Sequence, residues 1–369
     1  MNRTDCYILP GPNNLVFLKE EPMRNSNQTK TPTIRDVAKA AGTAVSTVSY
    51  VLNNDPNKYV SQELRQRVLR AAQELNYHPN LIARSMKGKE RRVLAIIVPQ
   101  FENVFFTKVI NGAEHISYEN GYMLLFCSTF DDPDREKNFI ENLIAQQVDG
   151  FLISPTIEGW RNTSIIRERN IPYVVLDRLL EDSEVPYDSV SFDNKEGSYL
   201  ATRHLIAQGH RKLAYINWDS PFSHLKQRLN GFWKAVDETG VSRSDCFIVS
   251  GSHVNAETGY KLAHSLFAQY NPTAVLASHH FFGEGLVTFL KETGRVIPKD
   301  ISVIVYGQPS WVRLNQPSFT CIHQPAQEIG ELGAKVLLNQ IADPNLPCEN
   351  YILKPNLIIR DSVKTLSLQ

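Results

Sequence analysis

The sequence predicts a small all-α headpiece followed by a larger α/β core with doubly wound parallel sheets. Residues 33–78 show helical periodicity in three short segments, and the residues from 93 onward alternate short apolar strands with amphipathic helices. A chain of 369 residues has room for two or three domains. Strands that alternate with helices form parallel sheets, and this many fit two lobes better than one sheet.

Residues 1–32 contain four prolines and several asparagines without sustained periodicity, which predicts a flexible arm. Met23 is an alternative start of the protein. The first helix begins after Thr33, because a hydroxyl there and the carboxylate of Asp36 three residues later form a capping box. It runs to about Ala41, where Gly42 ends it.

The second helix runs from about Val45 to Asn53 and has two different faces at 100° per residue. The first face is formed by Thr47, Val48 and Val51. The other face is small, polar and uncharged, and it is formed by Val45, Ser46, Ser49 and Tyr50.

Ser61 caps a third helix with apolar residues at helical spacing. These are Leu64, Val68, Leu69, Ala72 and Leu75. In the following stretch, HPNLIARSMKGKERR, Pro79 begins a fourth short helix and Gly88 ends it. We therefore predict a compact bundle followed by a helical linker.

Eight apolar segments predict the strands of the core. They are residues 93–98, 122–127, 150–154, 173–177, 212–217, 246–250, 273–277 and 301–306. Ligands of such sheets bind outside the carboxyl ends of the strands, so a cleft between the two lobes is the expected site.

Charge is distributed unevenly, although basic and acidic residues both total 39. Residues 33–92 hold 11 Lys or Arg against 5 Asp or Glu. A basic segment is often only a solvated face, but on a mildly acidic body it also suits a polyanionic partner, since attraction to phosphate is local and screened within about 10 Å.

Composition argues against several other classes of protein. The five cysteines are scattered without a C-x-x-C pair, which is typical of thiols in a reducing compartment. The chain has no apolar run of membrane-spanning length and no secretory signal, so we expect it in the cytoplasm. His279 and His280 are adjacent; on a strand end they would point to opposite sides, which argues against a metal site.

Taken together, these residues resemble the lactose-repressor and galactose-repressor (LacI/GalR) family of bacterial transcription regulators over about residues 33–363. The motifs that carry the resemblance are Ile34, Asp36–Ala38, Ala41–Gly42, Thr47–Ser49, Val51–Asn53, Ala83–Lys87, Phe105–Phe106, Val148–Gly150, Asp177–Arg178, Asp193–Asn194, Gly209–Arg211, Pro298 and Arg360–Ser362.

The resemblance implies a helix-turn-helix headpiece over 33–78, a hinge helix over 79–91 and an effector-binding and dimerisation core over 92–369, similar to periplasmic sugar receptors. The N-lobe would comprise about 92–192 and 325–352, and the C-lobe about 193–324 and 353–369. It implies no cofactor, a homodimer with a tetramer left open, operator DNA as the partner and a sugar or sugar derivative as the effector. It does not fix the effector, the operator sequence or the direction of control.

The small, uncharged face of the second helix suits the major groove, where long charged side chains would meet phosphate before the base edges. By resemblance, Val45, Ser46 and Tyr50 would contact bases. The other DNA-binding positions that the resemblance implies are Thr33, Thr43, Thr47, Ser49, Asn53, Ala83, Arg84, Met86 and Lys87. Thr43-Ala44 stands where the family usually has V-S before the helix, and Met86 stands where Leu usually acts as a minor-groove wedge. The alternative interpretations are an ordinary surface face and a tethering role for Met86.

For the effector, the resemblance implies a cleft lined by Phe105, Phe106, Asp177, Arg178, Arg228, His279, Gly307 and Gln324. Gly307 stands where most members have an Asp that accepts ligand hydroxyls, and His280 replaces a second acid with a potential cation. We therefore expect an acidic effector, such as a sugar phosphate, gripped by Arg178 and Arg228, or one larger than a monosaccharide. A cleft that binds nothing remains an alternative, because paired Phe residues are usually core and an Asp-Arg pair is usually a surface ion pair.

An enzyme is the main competing class. The sequence lacks a dinucleotide-binding G-x-G-x-x-G at the start of a helix, a phosphate-binding P-loop and a G-x-S-x-G elbow. A sugar-metabolising enzyme is therefore a remote alternative, and a periplasmic receptor would carry a signal peptide and no headpiece.

Overall fold

A computed structural model of the protein describes residues 32–52, 58–77, 91–180 and 183–366. The chain forms two compact units, which divide between Ala83 and Arg84. The predicted arm up to residue 31, Asn53 and the linker from 78 to 90, with Ala83, Arg84, Met86 and Lys87, lie outside the described residues. In the described part of the chain, no helix is long and apolar enough to cross a membrane.

Three helices form the headpiece: α1 (Ile34–Ala41), α2 (Val45–Leu52) and α3 (Gln62–Glu74). The Asp36 carboxylate accepts hydrogen bonds from the Thr33 amide at 2.8 Å and from the Thr33 hydroxyl at 2.7 Å, so the predicted cap of α1 is present. Gly42 ends α1 in the left-handed conformation, with φ +60°. The Ser61 hydroxyl accepts from the Leu64 amide at 3.4 Å and caps α3.

The headpiece core is built from one face of each helix. Its buried residues are Val37, Ala38, Ala41, Val48, Val51, Val68, Ala71 and Ala72. One predicted core position is wrong: Leu69 is 48% exposed. Ala71 and Ala72 take the inward positions of α3, so Leu69 is turned toward solvent.

The first sheet of the core has the strand order β11-β5-β4-β3-β1-β2. Its strands are β1 (Val93–Val98), β2 (Met123–Ser128), β3 (Gly150–Ile153), β4 (Tyr173–Leu176), β5 (Asp188–Phe192) and β11 (Asn350–Leu353). The second sheet has the order β12-β10-β9-β8-β6-β7. Its strands are β6 (Leu213–Trp218), β7 (Cys246–Gly251), β8 (Ala274–Ala277), β9 (Ser302–Tyr306), β10 (Thr320–His323) and β12 (Asn356–Ile358).

All eight predicted strands are present, so the predicted fold class is confirmed. The paired strands of both sheets are parallel, except that β12 runs antiparallel to β10. The helices of the core are α4 (Val104–Glu119), α5 (Pro133–Ala145), α6 (Gly159–Glu168), α7 (Asn194–Ala207), α8 (Ser223–Thr239), α9 (Ala256–Gln269), α10 (His280–Glu292), α11 (Ser310–Leu314) and α12 (Ala326–Ala342).

The two sheets form two lobes, and the chain passes between them three times. It leaves the first sheet after β5, returns after β10 through α12 to β11, and crosses again to β12. Strand ends and helix starts such as Asn103, Asp177 and His279 therefore meet where the lobes face each other.

Candidate functional site: a cleft between two lobes

A cavity of about 370 Å³, partly open to solvent, lies between the lobes. Its lining residues are Asn103, Phe105, Phe106, Asp177, Arg178, Trp218, His224, Arg228, His279, His280 and Gln324.

Seven of the eight side-chain positions that the sequence assigned to the effector line this cavity. The exception is Gly307, which lines a neighbouring cavity of about 290 Å³ that also borders Phe105, His280 and Gln324. Sequence reasoning missed Asn103, Trp218 and His224. Trp218 ends β6 and Asn103 precedes α4, so the rule that ligands bind at carboxyl ends of strands was a usable signal for both.

Arg178 is buried and already holds an acidic partner. Its guanidinium binds both carboxylate oxygens of Asp131, one at 3.3 Å from Nη2 and the other in a closer contact with Nη1. It also stacks 4.1 Å from the ring centroid of Phe222, which belongs to the opposite lobe. Its Nε atom is buried without a hydrogen-bond partner among the described residues.

Asp177 directly follows β4 and precedes Arg178. Its backbone has φ +64°, which L-amino acids rarely adopt, and such strain is concentrated at functional sites. Burial raises the pKa of Asp177 to about 6, against the opposing attraction of Arg228 and Arg178. Its Oδ1 atom is buried, and the described residues offer it no hydrogen-bond partner.

Arg228 is fixed by its own lobe. Its Nε donates to Asn194 Oδ1 at 2.8 Å and its Nη1 donates to the Ser278 carbonyl at 2.8 Å. The guanidinium lies 4.0 Å from the ring centroid of Tyr306. The expectation that Arg178 and Arg228 are both available for an anion is therefore only partly right, because several of their donors are already used.

Three histidines face the cavity, and two sequence expectations about them are wrong. His279 and His280 do not point to opposite sides: their ring centroids are 4.5 Å apart, because His279 caps α10 and His280 is its first residue. His280 is also not a ready cation, since burial lowers its pKa to about 4. Burial likewise holds the pKa values of His224 and His279 well below the ordinary value.

Gly307 has φ +97°, a conformation suited to glycine. A Cβ atom here would lie 3.2 Å from Gln324 Oε1 and 3.6 Å from His280 Cβ. A side chain at this position would therefore be strained by the backbone and crowded by Gln324. Among the described residues, no group of three or more His, Cys, Asp or Glu side chains is placed to hold a metal ion.

The headpiece presents part of the small face that the sequence predicted, since Ser49 and Tyr50 are half-buried. Val48 and Val51 are buried, whereas Val45 is 41% exposed and Ser46 is exposed. The Val48 amide donates to the Ala44 carbonyl at 3.1 Å, so Ala44 occupies the capping position of α2 and Val45 begins it. Lys58 Nζ lies 5.8 Å from the ring centroid of Tyr50.

A short-helix headpiece with a small polar face, joined to a two-lobed core with a polar cleft, defines the class of ligand-responsive DNA-binding regulators. The profile described as "Bacterial regulatory proteins, lacI family" matches residues 33–80. The profile described as "Periplasmic binding proteins and sugar binding domain of LacI family" matches residues 91–355. The chain belongs to the LacI family.

Curated relatives and solved structures agree with this assignment. An HTH-type transcriptional repressor PurR from Vibrio vulnificus is 32% identical over 338 residues, which cover 91% of this chain and 99% of the relative. The PurR of Mannheimia succiniciproducens is 34% identical over 339 residues, with the same coverage.

Among solved structures, the lac repressor dimer bound to operator and an anti-inducer has the same fold, with a TM-score of 0.80 at 24% identity over 91% of this chain and 100% of that one. A ribose-bound LacI-family regulator from Enterococcus faecium has a TM-score of 0.69 at 27% identity, over 74% of this chain and 100% of that one.

Proposed function

We propose that this LacI-family protein is a transcriptional repressor that binds a pseudo-palindromic operator as a homodimer and is controlled by a small molecule in the interlobe cleft. The observation that carries the proposal is the pairing of an exposed, uncharged face on α2 with a cleft that holds unpaired buried polar atoms. The relatives are repressors, and one solved neighbour is a dimer bound to its operator. The two-fold symmetry of a dimer matches an inverted repeat.

The domain assignment follows from the same proposal. The headpiece would span 33–78, the hinge 79–91 and the effector-binding core 92–369. We infer that the protein acts in the cytoplasm, where bacterial DNA lies, and that its cleft serves binding and no catalysis, because its relatives are regulators.

Operator selection tests the repressor function. Full-length protein incubated with random duplex DNA should enrich inverted repeats with a flexible pyrimidine-purine step near the centre, where a hinge wedge would enter the minor groove. Recovery of single asymmetric half-sites bound by a monomer would contradict the proposal.

Substitution of Tyr50 tests whether its side chain contacts a base edge or only helps to hold the protein on DNA. If its side chain contacts a base edge, Tyr50→Ala should weaken specific binding by about 1 to 3 kcal/mol and relax the preference at one operator position. Tyr50→Phe is the matched variant, because it keeps the ring and removes only the hydroxyl. A loss that is equal on all DNA sequences would instead indicate a phosphate contact.

Met86→Ala should weaken specific binding and spare non-specific binding.

We propose an acidic effector, such as a sugar phosphate, for the cleft. Gly307 supplies no carboxylate for sugar hydroxyls, and Arg178 Nε remains an unpaired buried donor. Solved relatives that bind ribose and cellobiose support a sugar framework. A larger effector is the alternative, and a second cavity of about 530 Å³ borders Phe222, which Arg178 contacts, together with Trp160 and Lys226.

A thermal-shift screen of neutral sugars and their phosphates tests the class of effector. Sugar phosphates should raise the melting temperature of the full-length protein, and the corresponding neutral sugars should not. Operator binding with and without each hit then shows the direction of control. Micromolar binding of an unmodified hexose, with its phosphate no tighter, would contradict the acidic class. A regulator that binds operator and no small molecule would favour the ligand-independent alternative.

A further inference from the structure

Asn103 has a fixed orientation at the centre of the cleft. It is buried, it caps α4, and its Oδ1 accepts a hydrogen bond from the Phe105 amide at 3.0 Å. His280 Nε2 lies 3.1 Å from the same oxygen and donates to it. The opposite orientation of the amide would set an N–H against the N–H of Phe105 and remove the cap. The Nδ2 group therefore points toward His279.

The hydrogen bonds of His279 also fix the position of its ring proton. Its Nδ1 accepts from the Phe281 amide at 3.2 Å as the cap of α10. A neutral imidazole has one acceptor nitrogen and one N–H, so the proton lies on Nε2. Burial and the neighbouring cations keep this ring neutral by lowering its pKa. The neighbouring cations are Arg228 and Arg178, and a positive charge on His280 or His224 would act in the same direction.

The two side chains consequently present donors to each other. Asn103 Nδ2 and His279 Nε2 are 3.5 Å apart, and this contact is a hydrogen bond only if Nε2 accepts, which its tautomer prevents. Both atoms lie at the wall of the cavity that Arg178 also lines. Buried donors without an acceptor destabilise the fold, so such an arrangement indicates a missing partner.

We propose that an oxyanion of the effector, from a phosphoryl or carboxylate group, places one oxygen between Asn103 Nδ2 and His279 Nε2 and accepts a hydrogen bond from each. This inference rests on the proposed effector function of the cleft. Arg178 Nε adds a third donor in the same cavity, whereas Asp177 Oδ1 is the unpaired acceptor there. Unpaired donors therefore outnumber unpaired acceptors in this cavity. This favours an anionic group, because a neutral hydroxyl would also need an acceptor for its own proton.

The same contact would couple binding to lobe closure. Asn103 follows β1 of the first sheet, and His279 follows β8 of the second. An oxygen that accepts from both side chains joins the two lobes directly. An effector that supplies this oxygen can therefore shift the equilibrium between open and closed lobes.

Two substitutions alter the donor pair and retain both helix caps. Asn103→Asp keeps an oxygen for the Phe105 amide and replaces Nδ2 with an acceptor for His279 Nε2, so it occupies the oxyanion position internally. His279→Asn keeps a capping oxygen for the Phe281 amide and removes the ring N–H. Asn138→Asp on the exposed face of α5 and His253→Asn on an exposed loop make the same chemical changes outside the cleft.

Calorimetric titration of the full-length protein with inorganic phosphate and with acetate, at ionic strength matched with chloride, tests the proposal. The wild type and both control variants should bind at least one of the two anions, and the anion that binds identifies the group. Asn103→Asp and His279→Asn should bind that anion at least tenfold more weakly, with melting temperatures that show intact folding.

Two results would overturn the proposal. One is binding of neither anion by the wild type, and the other is equal binding by the wild type and both cleft variants. Operator affinity, measured on the same five proteins, separates this outcome from the repressor function. A wild type that binds the operator with no anion site leaves the repressor function standing, and one that binds no duplex, with or without the compounds of the thermal-shift screen, contradicts that function itself.

Discussion

At the scale of single residues, the cleft is marked by polar atoms that the fold leaves without partners. Asp177 holds a left-handed backbone and a buried Oδ1, and Arg178 next to it holds a buried Nε. A buried polar atom without a partner costs free energy, and ordinary packing would give it a partner or remove it. Their retention at one edge of one cavity argues for a ligand and against a cleft that has lost its function.

Asp177→Asn should make the protein more stable at neutral pH. The folded pKa of about 6 exceeds the unfolded value of 3.8, so the folded state favours the protonated acid. The contribution of Asp177 to stability is therefore full below pH 3.8 and is lost as the pH rises through 6. Asparagine stays neutral and tolerates a left-handed backbone, so at pH 8 the gain should approach about 3 kcal/mol.

Urea denaturation of the variant and the wild type between pH 3.5 and 8 measures this difference. The two free energies of unfolding should converge at the acid end. Asp219→Asn, at an exposed position, is the control and should change stability by less than about 0.5 kcal/mol. Curves for Asp177→Asn and wild type that stay parallel across the range would contradict the assignment.

At the scale of elements, apolar runs predicted eight strands and missed four. β5 has the sequence DSVSF, in which Asp188, Ser189 and Ser191 are buried although they are polar. Asp188 Oδ1 accepts from the Glu349 amide at 2.9 Å, and the Ser189 hydroxyl donates to Asn350 at 2.6 Å. These partners come from residues more than 150 positions away, so hydropathy along the chain could not indicate them.

Helix starts explain why sequence reasoning missed Asn103 and the orientation of His279. Asn103 and His279 are the capping residues of α4 and α10, and each side chain faces the cavity from that position. The aromatic and charged residues after strands β1 and β4 were assigned through the family resemblance, and their place at strand ends supports that assignment. The orientation of His279 and His280 was not, because it depends on where α10 begins.

The crossing of α4 and α12 fixes the helix that carries Asn103 and both phenylalanines of the cleft. A Cβ on Gly330 would lie 1.9 Å from the Val109 carbonyl oxygen, and one on Gly112 would lie 2.1 Å from the Gln327 carbonyl oxygen. Gly330→Ala should therefore separate the helices and destabilise the protein by about 1 to 3 kcal/mol. Urea denaturation measures this change in stability.

Lys335→Ala, at an exposed position of the same helix, is the matched control and should have little effect. If Gly330→Ala were as stable as the control, the backbone contact between α4 and α12 would not be a packing constraint.

At the scale of the whole molecule, basic and acidic character are divided between the parts of the chain. Charge alone favoured a polyanionic partner only for residues 33–92, and it could not distinguish DNA from another polyanion. The order and spacing of motifs supplied that distinction. The identity of the effector depends on a three-dimensional arrangement of donors, which no local pattern encodes.

The exposed edge of the first sheet is the surface that we expect to join two copies of the chain. β2 is its edge strand, and Phe126 and Met123 on it are each 60% exposed. Phe126 contacts Phe101, with ring centroids 5.5 Å apart in an edge-to-face arrangement. An exposed apolar edge strand favours pairing with another chain, and a symmetric dimer would cover it.

Phe126→Lys should therefore convert the dimer to a monomer and reduce operator affinity at least a hundredfold, because one headpiece would contact one half-site. A lysine in an apolar interface must lose its hydrating water, which opposes association. Leu314→Lys is the matched control, since Leu314 is 78% exposed on α11 of the other lobe. Sedimentation velocity gives the oligomeric state, and titration of labelled operator gives the affinity. A Phe126→Lys protein that remains dimeric would exclude this edge as the interface, and a monomer with wild-type affinity would show that operator binding does not require two headpieces.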